Sequence, residues 1–102
     1  YQKLRKENSF MDLCKKPELA AEVAMGPIED FDFDVSILFS DLLFPLEAMG
    51  MGLDYKPGPV LEWHLQSSSD LKKLDAGPRA LERLMFQKEA CLLTRKRLPQ
   101  DK

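Results

Sequence analysis

Between Val35 and Asp41 the chain reads VSILFSD, four apolar side chains in six positions followed by a carboxylate. Ile37, Leu38 and Phe39 are consecutive, so the segment does not alternate polar with apolar as a half-exposed strand does. A short run that is apolar on both faces fits a parallel strand covered on each side by helices. Such a strand cannot stand alone, because both its edges carry unpaired N–H and C=O groups. The segment therefore predicts a β/α architecture with a larger sheet. Asp41 then falls directly beyond the carboxyl end of the strand, where parallel β/α proteins place ligand-binding groups. A carboxylate is costly to bury. The competing role for Asp41 is a turn or N-cap residue beside Ser40.

The flanking sequence supplies helices. YQKLRKEN favours a helix, and FMDLCKK reads as a turn-like piece with Phe10, Leu13 and Cys14 in helical register. Pro17 opens a clear helix with Glu18 in its first turn. Leu19, Val23, Ile28 and Phe31 form its expected apolar stripe, and Pro27 should kink it by removing a donor to the Val23 carbonyl. Pro45 to Met49 predicts a short helix closed by Gly50 and Gly52. LDY and VLEW flank the turn signal Lys56-Pro-Gly-Pro59 and are expected to pair as a hairpin. Ser67 to Asp70 has the form of a capping box opening a short helix, SSDLKKL. A long helix is expected from Pro78 to Leu98. On it Leu81, Leu84, Met85, Cys91 and Leu92 share an arc of about 120° that should face a core.

Composition narrows the function classes. A length of 102 residues bounds the chain to one domain at most. Hydrophobic content of 44% with 31% charged residues fits an ordinary soluble globular protein. Fifteen basic and 17 acidic residues give a net charge of -2, which offers no bulk attraction to nucleic acid. No apolar run approaches the roughly 20 residues needed to span a bilayer, so no membrane role is expected. The opening YQKLRKEN is neither a signal peptide nor a start Met, and further sequence is expected upstream of Tyr1.

Cys14 and Cys91 stand apart with no CxxC, and read as reduced, semi-buried thiols of a cytosolic protein. His64 is the only histidine and has no second imidazole or adjacent Cys, so no metal site is expected. Arg95-Lys96-Arg97 closes a helix, where cations complement the dipole. The GMG at Gly50 to Gly52 is not a phosphate-binding glycine motif. Met49 and Met51 read as packing.

The stretch CKKPELAAEVAMGPIEDFDFDVSILFSDLLFPLEAMGMGL, from Cys14 to Leu53, resembles the N-terminal third of the uroporphyrinogen decarboxylase family. The resemblance rests on Cys14-Lys-x-Pro17-Glu-Leu-Ala-Ala-Glu-Val23, on Pro27, on Phe39-Ser-Asp41, on Pro45 and on Ala48-Met-Gly-Met-Gly52. FSD followed at fixed spacing by Pro45 and then GMG is the specific part. KPGPV is similar to the family's Gly-Pro turn but one residue short, with Lys56-Pro57 where a Gly is commoner. The likeness covers essentially the whole chain and is weakest from Asp75 onward.

The resemblance implies a (β/α)8 TIM barrel, an α/β fold of about 250 residues, of which residues 1–102 would be the N-terminal part of a single barrel domain. It places the family's Arg-Gln-Ala-Gly-Arg-Tyr signature upstream of Tyr1 and its later Tyr, Ser and His positions beyond Lys102. It implies a cytoplasmic enzyme, a homodimer in its full-length form, that removes the four acetate carboxylates of uroporphyrinogen III without a cofactor, giving coproporphyrinogen III for haem biosynthesis. Asp41 matches the family's catalytic aspartate, which would stabilise the cationic pyrrole. Arg5 matches an arginine that helps bind the substrate's carboxylate side chains, and Tyr1 an aromatic beside it. Two other readings are a corrinoid-linked methyltransferase on the same barrel and a non-catalytic chain that keeps the scaffold as an interaction module. The first needs a zinc ligand set that this sequence lacks.

Overall fold

A computed structural model describes residues 1–102. The chain divides into two compact units, Tyr1–Ser40 with Phe86–Lys102, and Asp41–Met85.

The first unit is helical. α1 (Gln2–Glu7) is followed by α2 (Phe10–Lys15), which the sequence had suggested only as a turn. Ser9 makes it a helix. Its Oγ accepts the Asp12 N–H at 3.0 Å, and the Asp12 carboxylate accepts the Ser9 N–H at 3.1 Å, a complete capping box. That bonding, with Lys16 next, holds the Asp12 carboxyl down at about 2. α3 (Pro17–Phe31) starts on Pro17, keeps Pro27 inside it, and ends at Asp32 in the left-handed conformation. Its buried face is Ala20, Ala21, Ala24, Met25 and Ile28, whereas Leu19 and Val23 are half-buried and Phe31 is exposed. Of the expected Leu19–Val23–Ile28–Phe31 stripe only Ile28 is thus buried, and it lies in a face made mainly of alanines; Leu13 and Cys14 of α2 are buried as well. Alanines let the helices approach closely, where a leucine stripe would hold them apart.

Residues 35–40 depart most from expectation. They form no helix and no strand, and their backbone pairs with no other segment. Val35, Ile37 and Phe39 are 70%, 78% and 48% exposed, while Ser36 and Leu38 between them are half-buried. The reason is the one that made the strand improbable alone: the first unit contains no strand with which to build a ladder. Two contacts hold the segment in place. Ser36 Oγ donates to the Ala24 carbonyl at 2.7 Å, one residue past the Val23 carbonyl that Pro27 deprives of its helical donor. Phe39 meets Phe10 edge to face, with ring centroids 5.6 Å apart.

The predicted helix over 78–98 is two helices, α5 and α6 in the numbering that follows from a short α4 (Phe44–Leu46). α5 (Pro78–Arg83) and α6 (Met85–Arg97) are separated at Leu84, whose ψ is 0°. Of the expected core stripe only Leu84 is half-buried; Leu81 is 68% and Leu92 61% exposed, and Cys91 and Met85 are also exposed. Ala80, Ala90 and Thr94 are buried in its place. Within the first unit Arg97 joins α6 to α3, with Nη2 3.0 Å from Glu29 and Nη1 3.4 Å from Glu22. Cys14 is buried, Cys91 is exposed, and no disulfide links them.

The second unit is built around a helix end. α4 runs into a further helical turn, Glu47–Met51, that breaks at Gly50 with φ 102°. A helix terminus leaves its last carbonyls without intrahelical donors. Here four successive carbonyls are answered from elsewhere in the unit. Ala48 accepts from Arg83 Nη1 at 2.7 Å and Met49 from the Asp75 N–H at 2.9 Å. Gly50 accepts from the Trp63 indole at 3.1 Å and Met51 from the Glu62 N–H at 3.2 Å. Phe44 in α4, only 1% exposed, is the largest fully buried side chain.

Gly52 then turns the chain at φ 68°, where a Cβ would lie 2.5 Å from Glu62 Cγ and Cδ. β1 (Leu53–Tyr55) and β2 (Pro59–Leu61) pair antiparallel with Leu53 opposite Leu61 and Tyr55 opposite Pro59, as the hairpin signal predicted. A 3-10 helix, Ser68–Lys73, follows with the expected capping box from Ser67 and Asp70.

Candidate active site

Asp41 opens the second unit. Both its carboxylate oxygens are held. Oδ1 accepts the Leu43 N–H at 2.7 Å, and Oδ2 accepts the Tyr55 hydroxyl. The Asp41 carbonyl also accepts the Phe44 N–H at 3.3 Å, so the residue initiates the turn that leads into α4. The turn role weighed against function from the sequence is therefore present. It coexists with a chemically useful state, because anchors on two different oxygens fix the plane of the carboxylate. A carboxylate has about four lone-pair positions, so roughly half its accepting capacity is still open to a ligand.

Tyr55 is the residue that sequence reasoning missed. It stands 14 positions from Asp41 on β1, and no periodicity links the two. The one clue was that a hairpin tyrosine with a half-buried ring needs a partner for its hydroxyl. β1 alternates as a strand should, with Leu53 and Tyr55 half-buried and Asp54 exposed. Asp54 pairs with Lys56 at 2.7 Å, and that bond, first among its causes, lowers the Asp54 carboxyl below the usual carboxylate range.

Arg5 and Tyr1 lie in the first unit. Arg5 is exposed on α1, with Nη1 donating to the Asn8 carbonyl at 3.1 Å, and its N–H bonds the Tyr1 carbonyl at 2.9 Å. Tyr1 and Arg5 are thus brought together at the start of one helix. The Tyr1 ring lines a mostly apolar cavity of about 270 Å³ together with Phe10, Cys14, Val23 and Phe39.

A second, more polar recess in the second unit, of about 620 Å³, is lined by Trp63, His64, Asp70 and Lys73 among others. Its groups answer one another. The Lys73 ammonium is 5.7 Å from the Trp63 ring centre and 2.9 Å from Asp70, whose carboxyl it holds low. His64 is exposed beside them. Nowhere do three or more His, Cys, Asp or Glu side chains gather as metal ligands would. No helix is long and apolar enough to cross a membrane.

A family model described as uroporphyrinogen decarboxylase (URO-D) matches residues 1–102. A protein named uroporphyrinogen decarboxylase from Geotalea uraniireducens is 49% identical over 74 residues, which is 72% of this chain and 22% of that protein. One of the same name from Geobacter sulfurreducens matches to the same extent. Another, from Pelobacter propionicus, is 41% identical over 98 residues, 96% of this chain and 28% of its own length. The chain thus spans between 22% and 28% of these curated relatives. A match over every residue, running through FSD, Pro45 and GMG, leaves one conclusion: the chain belongs to the uroporphyrinogen decarboxylase family.

Proposed function

We propose that this chain is the early part of a (β/α)8 barrel domain that converts uroporphyrinogen III to coproporphyrinogen III, with Asp41 as its catalytic carboxylate. The observation that carries the reading is the state of Asp41. It occupies the FSD position within a family match over residues 1–102 and is held by a separate donor on each oxygen. The same reading makes residues 1–102 one portion of a single domain in a cytoplasmic, homodimeric enzyme.

The chemistry asks for such a group. Loss of CO2 from a carbon attached to a pyrrole needs an electron sink. Protonation of the pyrrole provides it, because the cationic ring accepts the electrons of the breaking C–C bond. A fixed carboxylate facing the pyrrole N–H groups stabilises that charge as it develops, and costs no reorganisation at the moment of reaction. Arg5 would neutralise a substrate carboxylate, for which a planar guanidinium suits bidentate contact. Tyr1 would supply an aromatic wall beside it. None of these steps calls on a metal or an organic cofactor.

The barrel reading gives the open segment 35–40 its purpose. Three exposed apolar side chains on a backbone without a strand partner suit the inside of a sheet and are a liability in water.

Asp41→Asn in the complete protein is the test. Conversion of uroporphyrinogen III to coproporphyrinogen III is expected to fall about a hundredfold, as when a preorganised group is removed from a developing charge. The unfolding midpoint should change little. Turnover within about threefold of the parent would overturn the assignment.

A further inference from the structure

We infer that Tyr55 is a positioning residue for this reaction: its hydroxyl holds the Asp41 carboxylate in the orientation that meets the pyrrole N–H groups. The inference rests on the reading of Asp41 as the catalytic carboxylate.

An aspartate side chain has two torsions, and one hydrogen bond does not fix both. The Leu43 N–H binds Oδ1 from the local turn, which leaves the carboxylate able to swing about that contact. The Tyr55 hydroxyl takes Oδ2 from a different element, the hairpin strand β1, and removes that freedom. A phenol is a neutral donor at physiological pH, so it orders the carboxylate without cancelling the negative charge that a pyrrole cation requires. A lysine or arginine at this position would order it equally well but neutralise it. Hydrogen bonds to an ionised acceptor are about twice as strong as neutral ones.

Tyr55 is in turn held firmly. Its backbone is in register opposite Pro59, and its N–H donates to Asp54 Oδ1 at 2.8 Å. The chain reaches β1 through Gly52, which no other residue could replace without meeting the Glu62 side chain. Supporting groups on rigid elements are what keep a reacting group within its productive geometry.

A double-mutant cycle in the complete protein, with kcat and KM measured for uroporphyrinogen III, separates positioning from a merely structural tether. Tyr55→Phe keeps the ring and deletes the donor. It is expected to lower kcat about tenfold and leave KM within about twofold. In an Asp41→Asn background the same change should lower kcat by less than about twofold, since there is no longer a carboxylate to position. If Tyr55→Phe does not fold, Tyr55→Met repeats the cycle with a flexible apolar side chain, and the same outcomes apply. Unchanged kcat in the Tyr55 variant overturns the inference, and so does an equal loss in both backgrounds, which a tether serving only the fold would give. If Asp41→Asn alone keeps turnover within about threefold, the reading of Asp41 fails and takes this inference with it. If Asp41→Asn is disabled and the Tyr55 variant is not, only the positioning role falls.

Discussion

Two short segments, 35–40 and 48–51, present the same problem to the chain and meet different ends. Each exposes a row of backbone polar groups. The carbonyls of Ala48, Met49, Gly50 and Met51 all find donors within their own unit, from Arg83, Asp75, Trp63 and Glu62. Residues 35–40 pair with no strand, and three of their four apolar side chains are exposed. The difference is geometric. A helix end needs single donors, which can come from any direction and from unrelated elements. An extended segment needs a neighbour running beside it over its whole length. Scattered contacts satisfy the first need and never the second.

Ile37→Asp in the complete protein tests the open segment with the largest expected effect. At 78% exposure the change should matter little if the segment remains at a surface, within about 0.5 kcal/mol. If residues 35–40 are covered in a sheet, as the barrel reading holds, the loss should be about 3 kcal/mol or more, from a lost apolar group and a buried charge together. Denaturant unfolding separates the two outcomes.

Arg83→Met probes the other segment and should act more mildly. It removes the donor from the carbonyl of Ala48, a residue 2% exposed, while keeping an apolar stem of similar length. A loss of about 1–2 kcal/mol is expected in urea unfolding. No measurable change would mean that the capped helix end is not what stabilises the second unit.

The smallest effect concerns the capping box of α2. The Asp12 carboxyl is lowered from 3.8 to about 2, first by Ser9 and then by Lys16. A depressed acid stabilises the folded chain where it is ionised in both states, so the contribution is complete above pH 3.8. It disappears as pH falls from there toward about 2, because the unfolded chain takes up its proton first. Ser9→Ala should therefore lower the unfolding midpoint near neutrality and differ less from the parent near pH 2. A constant difference across that range would show that Ser9 acts independently of the charge on Asp12. Because Asp12 is exposed, the effect should also be small.

The candidate site was legible in part. FSD drew attention to Asp41 because an apolar run ended on a carboxylate, and the resemblance added Arg5 and Tyr1. What the sequence did not reveal was that Asp41 is bonded at both oxygens. It also misjudged the C-terminal helix, where Leu81, Met85 and Leu92 make a plausible stripe that faces outward. Helical periodicity identifies a face but not what lies against it, and here alanines and a threonine were buried in its place.

Residues near in sequence determined the helix start at Pro17, the boxes at Ser9–Asp12 and Ser67–Asp70, the glycines at positive φ and the hairpin about Lys56–Pro59. Each depends on contacts a few positions apart, or on the steric freedom of one residue, and so leaves a local signature. Tertiary structure alone decided the contact of Tyr55 with Asp41 across 14 positions, of Arg83 with Ala48 across 35, and of Arg97 with Glu29 and Glu22 across 68 and 75. A hydrogen bond between distant residues imposes no spacing on the chain between them, so its partners become visible only when folding brings them together.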